Sequence, residues 1–248
     1  MQKMQRQEEI MALLQNRHAV GVRELAEKLY ASEPTIRRDL AALERRGLIQ
    51  RIFGGACLVE QKQMILPLDV RVNHSTLQKE KIAAAAVKKY VRDNGVLLID
   101  ASSTAQMMIP YLKDFRRLVV VSNCLRATEL LAGTDVKIYC TGGELLPNAR
   151  AFAGTFAENM LRQLHADVLF FSCQGLSLDG RLTDPSEPET RLRQVMLRSV
   201  RKRVLLCDST KIGKRFFFDV CGAEELDDII CDQPLPEELR RLLPGEEV

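Results

Sequence analysis

Residues 20–56, VGVRELAEKLYASEPTIRRDLAALERRGLIQRIFGGA, decide the reading of this chain. Val22, Leu25, Ala26 and Leu29 recur at helical spacing and form one apolar face. Ala31 and Ser32 break the pattern, and Ser32 has the side chain of an N-cap, whose hydroxyl accepts from a free amide of the next turn. Pro34 falls in that first turn, where its missing N–H is harmless. A second helix is expected from Thr35 to about Arg46, with Ile36, Leu40 and Leu43 inward and Gly47 as its stop. Beyond it, residues 48–58 read as strand, Gly-Gly turn and strand. Two short helices at a tight break, followed by a basic hairpin, form a winged helix-turn-helix, whose second helix enters the DNA major groove.

The outward face of that second helix carries Thr35, Arg37 and Arg38. Paired arginines near a helix N-terminus oppose the helix dipole. On a recognition helix they can instead donate to guanine edges or to phosphates. The expected DNA-facing set is Ser32, Thr35, Arg37 and Arg38 on the helix with Arg51, Gly54 and Gly55 on the wing. Upstream, residues 4–16 give a helix whose Ile10, Met11, Leu13 and Leu14 can cover the motif.

These residues carry a family resemblance. VRELAEKL, SEPTIRRDLAALERRGLIQR and the FGGA wing resemble the N-terminal domain of the DeoR family of bacterial transcription regulators. One departure is Tyr30-Ala31, where the family usually has Gly-Val.

Composition fits that reading. At 248 residues the chain accommodates a small module and a larger one, and 46% hydrophobic residues support a substantial core. The net charge is only +3, and residues 1–60 hold ten basic against eight acidic side chains. DNA affinity must therefore come from the placement of charge rather than its total. Seven cysteines are scattered singly without a C-x-x-C pair, and the three histidines are isolated, so no zinc signature is present and no cofactor is expected. Scattered single thiols suit a reducing cytoplasm. The polar start, Met1 to Glu9, predicts no secretory leader, and no apolar run approaches the roughly 18 residues of a membrane span, so no membrane partner is expected.

The domains are expected at 1–58 (winged helix-turn-helix), 59–73 (an aperiodic linker containing Pro67) and 74–248 (an α/β effector-binding and oligomerisation domain). From Thr76 a helix runs to Asn94-Gly95, with Gly95 as the left-handed stop. Strand-length apolar runs then alternate with helical patterns: VLLID at 96–100, 118–122, 136–140, 168–172, 204–207 and 228–231. Such alternation predicts an α/β fold with a mainly parallel sheet covered on both faces.

Ligands of such sheets sit beyond the carboxyl ends of the strands. Four loops there are chemically rich. Asp100-Ala101-Ser102-Ser103-Thr104 offers hydroxyls and amides that suit a phosphate, or simple helix capping. Ser122-Asn123 can cap or bind. Thr141-Gly142-Gly143-Glu144 is either a ligand approach or a plain turn. Asp208-Ser209-Thr210-Lys211 places a cation at the same rim, solvated or neutralising a phosphate.

The motifs LIDASST, VVVSN, YCTGGEL, FFSCQGLSLDGRLTD and LLCDSTKIG resemble the DeoR-family effector domain over roughly 74–232, itself similar to sugar-phosphate isomerase and CoA-transferase folds. Within the family, the DASST loop looks closest to that of the fucose-operon subgroup. The resemblance implies a phosphorylated sugar held by Ser102, Ser103 and Thr104 with Lys211 as counter-charge. It places Asn123, Gly143 and Gly175 along the sugar, Asp100 and Gly142 in the same loops, and Arg193 where the family often has a basic residue. Ser102 replaces the Gly of the usual D-x-G-[ST]-T loop.

The expected function is a DNA-binding regulator of a carbohydrate-metabolism operon that answers to a sugar phosphate, acting as a dimer or tetramer on double-stranded DNA and not as an enzyme. Two alternatives remain: a sugar-phosphate isomerase fused to a DNA-binding module, for which Asp100, Asp184 and Asp208 are the candidate bases, and a DNA-bridging protein whose second domain only oligomerises.

Overall fold

The computed structural model describes residues 3–17, 19–52, 54–58 and 68–243, which fall into two compact units divided between Leu66 and Pro67. The first unit runs α1 (Lys3–Arg17), β1 (Ala19–Gly21), α2 (Val22–Lys28), α3 (Glu33–Arg45), β2 (Ile49–Ile52) and β3 (Gly55–Leu58). Ile10 and Leu14 of α1, Leu25 of α2 and Ile36, Leu40 and Leu43 of α3 are buried together with Leu48 and Ile49. Each such side chain contributes about 1.5–3 kcal/mol by leaving water. Gly47 takes φ 70° and stops α3 as its sequence implies, its amide donating to the Glu44 carbonyl.

The wing is a three-stranded antiparallel sheet in the order β1-β3-β2, one strand more than the sequence pattern revealed. Its two glycines serve different ends. Gly54 takes φ 77° in the turn, whereas a Cβ on Gly55 would lie 2.4 Å from the Val20 carbonyl oxygen on the neighbouring strand.

The second unit opens with α4 (Leu68–Asn73) and α5 (Thr76–Tyr90). Residues 68–73, read from sequence as linker, are thus a helix of this unit; the rest of the expected linker, 59–67, lies outside the described residues. Then follow β4 (Val96–Ile99), a 3-10 helix (Ala105–Asp114), β5 (Val119–Ser122), α6 (Leu125–Leu131), β6 (Lys137–Cys140), β7 (Glu144–Leu146), β8 (Ala151–Ala153) and α7 (Thr155–Arg162). The chain continues through β9 (Ala166–Phe171), β10 (Gly175–Leu176), β11 (Arg181–Asp184), α8 (Glu187–Arg198), β12 (Val200–Cys207), a 3-10 turn (Ser209–Lys211), β13 (Phe218–Gly222) and β14 (Asp228–Cys231). The helix α5 ends at Tyr90, earlier than expected, and Asn94 rather than Gly95 takes the left-handed φ of 62° in the turn that follows. Pro110 lies inside the stretch after β4, where its missing N–H and ring oppose a regular α-helix; the chain takes the tighter 3-10 form.

The main sheet has six strands in the order β14-β12-β9-β4-β5-β6, every pairing parallel. Alternate residues fill two cores. Leu97, Ile99, Val120 and Phe170 pack beneath α5, the 3-10 helix and α6. Leu98, Val121, Leu169 and Phe171 pack beneath α7 and α8. A hairpin of β7 and β8 and a small sheet β10-β11-β13 stand apart from this frame. The carboxyl ends of β4, β5, β6, β9 and β12 all open on one rim.

Candidate functional site

In the first unit, Arg37, Arg38 and Arg45 are exposed on α3, while Asp39 between them is turned inward with 2% exposure. Its carboxylate accepts from Arg6 Nε at 2.5 Å and from Gln7 Nε2 at 3.4 Å, both on α1. The T-I-R-R-D-L run thus aims its two arginines outward by fastening the aspartate to α1. Ser32 sits at the N-cap position, but its hydroxyl lies 2.9 Å from that of Thr35 instead of capping an amide. Arg37 makes one loose, exposed pair with Glu33 at 3.4 Å.

Arg51, expected near phosphates, is held by Glu44: Nε donates at 2.6 Å and the Arg51 amide at 3.0 Å. These bonds, the amide's first, keep the Glu44 carboxyl below its ordinary range. The pair ties the end of α3 to the wing. Tyr30, in the turn between α2 and α3, takes φ 48° at 97% exposure. With no packing to lose, Tyr30→Gly should raise the stability of this unit by about 0.5–1 kcal/mol by removing left-handed strain. Urea unfolding of the two proteins checks this; a loss of stability would show that the ring contributes.

On the rim of the second unit, Arg193 is 4% exposed and its guanidinium is spent on three carboxylates. Nε donates to Asp100 at 2.9 Å, Nη1 to Asp184 at 2.9 Å and Nη2 to Glu189 at 3.4 Å. Asp100 also accepts from the Ser102 amide at 2.9 Å and the Ser172 amide at 3.5 Å. Arg193 and Asp100 therefore shape the 100–104 loop. Burial raises the Asp184 carboxyl and Glu189 adds to this, against the pull of Arg193.

The Lys211 ammonium reaches across the rim. It donates to Ser172 Oγ at 2.8 Å and Thr104 Oγ1 at 3.4 Å, and lies 3.4 Å from the Asp208 carboxylate. Burial would raise Asp208, but Lys211, the Thr210 hydroxyl and Lys79 outweigh it and hold this carboxyl below its usual range. Ser102 Oγ accepts from the Ala105 amide, at the first residue of the 3-10 helix, at 3.2 Å, and Ser103 and Thr104 are buried beside it. Asn123 donates to the Phe152 carbonyl at 3.0 Å, and its Oδ1 is buried without a partner.

The glycines divide. Gly142, φ 61°, has open space where a Cβ would stand. A Cβ on Gly143, φ 105°, would be 2.4 Å from the Ala153 carbonyl oxygen, so this residue lets β8 close on the loop. Gly175 lies in the small sheet, with the Lys214 carbonyl oxygen 2.6 Å from a would-be Cβ. It serves the packing of that segment.

Three rim residues escaped the sequence reading because they lie on α4, its turn and α5. Lys79 is buried, and its Nζ donates to the carbonyls of Arg71 and His74, the latter at 2.7 Å. Burial first, then Lys211, push it down to about 8, although Asp208 opposes this. As pH drops from 10.5 to 8, the unfolded chain therefore takes up this proton before the folded one. Stability falls as pH drops through that window, and a bound anion would offset the loss. Burial and the Lys79 charge likewise lower His74, with Asp208 opposing. Arg71 is 6% exposed, with Nε and Nη2 unpartnered. The only signal for them in the sequence was their spacing just ahead of the α5 apolar pattern.

Family models match both units: the DeoR-like helix-turn-helix domain over residues 6–62 and the DeoR C-terminal sensor domain over 74–233. The chain belongs to the DeoR family. Similar curated relatives include the HTH-type transcriptional regulator GolR of Listeria innocua, 33% identical over 95% of this chain and 92% of the relative. The lactose phosphotransferase system repressor of Staphylococcus epidermidis is 31% identical over 94% and 93%, and the L-fucose operon activator of Haemophilus influenzae 29% over 95% and 94%.

Among solved structures, a ribose-5-phosphate isomerase is similar at 18% identity and TM-score 0.40 over 54% of this chain and 53% of that one. The eIF2B beta of Chaetomium thermophilum is similar at 12% identity and TM-score 0.48 over 67% and 52%. The similar DeoR relatives carry the names of transcription regulators, and the isomerase alternative is not favoured. The rim carboxylates it would draw on are engaged, Asp100 and Asp184 by Arg193 and Asp208 by Lys211. Among the described residues no helix is long and apolar enough to cross a membrane, and no cluster of side chains suits a metal ion.

Proposed function

We propose that this DeoR-family chain is a dimeric or tetrameric cytoplasmic regulator of a carbohydrate operon. Its first unit reads double-stranded operator DNA through α3 and the wing, and its second unit binds a phosphorylated sugar at the rim. The observation that carries the ligand reading is Lys211, whose ammonium converges with Thr104 and Ser172 where β4, β9 and β12 end. A phosphate there meets a cation and hydroxyls, and the buried, unpartnered Asn123 Oδ1 is free to accept from a sugar hydroxyl. Symmetric pairing doubles the few base contacts one winged module can make. Tyr139 on the terminal strand β6, Leu145 on β7 and Phe156 on α7 are exposed and available to such an interface.

The test is operator binding titrated with hexose and pentose monophosphates, for wild type and Lys211→Ala. The variant should bind the effective sugar phosphate ~10–100-fold more weakly, as expected for one charge-assisted hydrogen bond, while binding operator normally without it. Equal responses would move the site elsewhere. No response of the wild type to any phosphorylated sugar would remove the sugar-phosphate reading. A monomer in light scattering that still binds operator tightly would remove the oligomer.

A further inference from the structure

Arg71 is the least reconciled charge in the second unit. It lies on α4, 6% exposed, and its Nε and Nη2 have no hydrogen-bond partner. An isolated charge taken out of water is held at a penalty unless something pairs with it. The carboxylate that feels its charge is Asp184, and that group is already bonded to Arg193. Arg71 and Lys211 are both felt at Lys79, whose ammonium bonds the carbonyls of Arg71 and His74. Three cations therefore gather at this side of the rim, with Asp208 offsetting part of their charge. A guanidinium presents a planar fork matched to a phosphate or carboxylate.

The place of α4 matters as much as its charge. It is the first described element of the second unit and directly follows the stretch joining that unit to the DNA-binding one. It is only six residues long, too short to be stable by itself. Its two ends are each held by a tertiary bond: the Leu68 amide donates to the Asn148 carbonyl at 2.8 Å, and Lys79 binds the other end from α5.

We propose that Arg71 grips the anionic group of the effector together with Lys211, and that this grip fixes α4, the element at which the second unit begins. The inference rests on the rim being an anion sensor and deepens that reading by naming the element through which occupancy is transmitted. A ligand couples two sites only by favouring one arrangement of an element they share. A short helix with an unpaired buried charge, joined by sequence to one unit and packed in the other, is such an element.

The experiment uses the full chain, with inorganic phosphate and a panel of hexose and pentose monophosphates as probes. Hydrogen exchange over residues 68–79, probe affinity and ligand-free melting temperature are measured for wild type, Arg71→Met and Arg71→Lys. In the wild type a binding probe should slow exchange across 68–79. Arg71→Met should bind it ~10–100-fold more weakly, without that slowing, yet melt at or above the wild-type temperature, because removing an unpaired buried charge relieves the fold. Arg71→Lys should fall between the two in affinity. If Arg71→Met binds the probe as wild type does, or if both variants melt well below wild type, Arg71 is structural and the inference fails while the sensor reading stands. If no probe binds the wild type, both fail together.

Discussion

Replacing Arg193 with methionine should destabilise the second unit by about 3–5 kcal/mol at neutral pH, the range for breaking a buried ion pair from one side. The guanidinium serves three carboxylates at once, on the loop after β4, at the end of β11 and within α8. Without it, Asp100, Asp184 and Glu189 are left buried with like charge. Burial and Glu189 already push Asp184 up, and losing the arginine removes the main opposing influence. With its carboxyl raised above the unfolded value, Asp184 takes up a proton in the folded variant first. The destabilisation should therefore be largest near neutrality and shrink as pH falls toward the ordinary carboxylate range. Urea unfolding of wild type and Arg193→Met at several pH values measures this. A change below ~1 kcal/mol, or one independent of pH, would show that the cluster is not what holds the rim together. The variant's 100–104 loop should also shift, since Asp100 orients it by accepting from the Ser102 amide.

The second large effect concerns DNA. Arg37→Ala/Arg38→Ala should weaken operator binding at least ~30-fold, since each base or phosphate bond made by a recognition helix is worth about 1–3 kcal/mol. The fold should be nearly unaffected: both side chains are exposed, and the Arg37–Glu33 pair at 3.4 Å is of a kind worth less than ~1 kcal/mol. The single variants separate the roles. An arginine that reads a base should, when removed, relax specificity at one position. One that binds a phosphate should, when removed, weaken all sequences alike and lower the salt slope by about one. Gel-shift titrations over a range of salt decide. Wild-type affinity in the double variant, with circular dichroism unchanged, would mean that α3 does not enter the groove.

What the sequence disclosed follows from which forces are local. The helix-turn-helix was legible because Val22, Leu25 and Leu29, then Ile36, Leu40 and Leu43, repeat within single helices. The parallel strands were legible because both faces are covered, so VLLI and VVV are unbroken apolar runs. The strands β7, β8, β10 and β11 are two to four residues long, too short for any period to show. Buried charge was the least legible of all. Arg193 and Asp100 are 93 positions apart, and nothing local in either marks the bond between them. Asp39 reads as part of a charged surface run until α1 supplies Arg6 and Gln7 from more than thirty positions away. Arg71 fell in a stretch without periodicity, where a short helix held by tertiary contacts leaves no pattern.

The order of the strands has a temporal consequence. Central β4 pairs on one side with β5, its neighbour in sequence, but on the other with β9, Leu97 meeting Val168. That sheet cannot close until β12 and β14 have also been made. The first unit needs no partner beyond β3, and its longest ladder joins Ala19 to Cys57. Distant pairings are entropically slow to form, and domains fold largely as they emerge from the ribosome at about 5–20 residues per second. On a growing chain, the helix-turn-helix is thus ready roughly 170 residues, on the order of ten to thirty seconds, before the last strand of the sheet exists. For that interval a nascent chain carries a complete helix-turn-helix beside a sensor domain whose sheet does not yet exist.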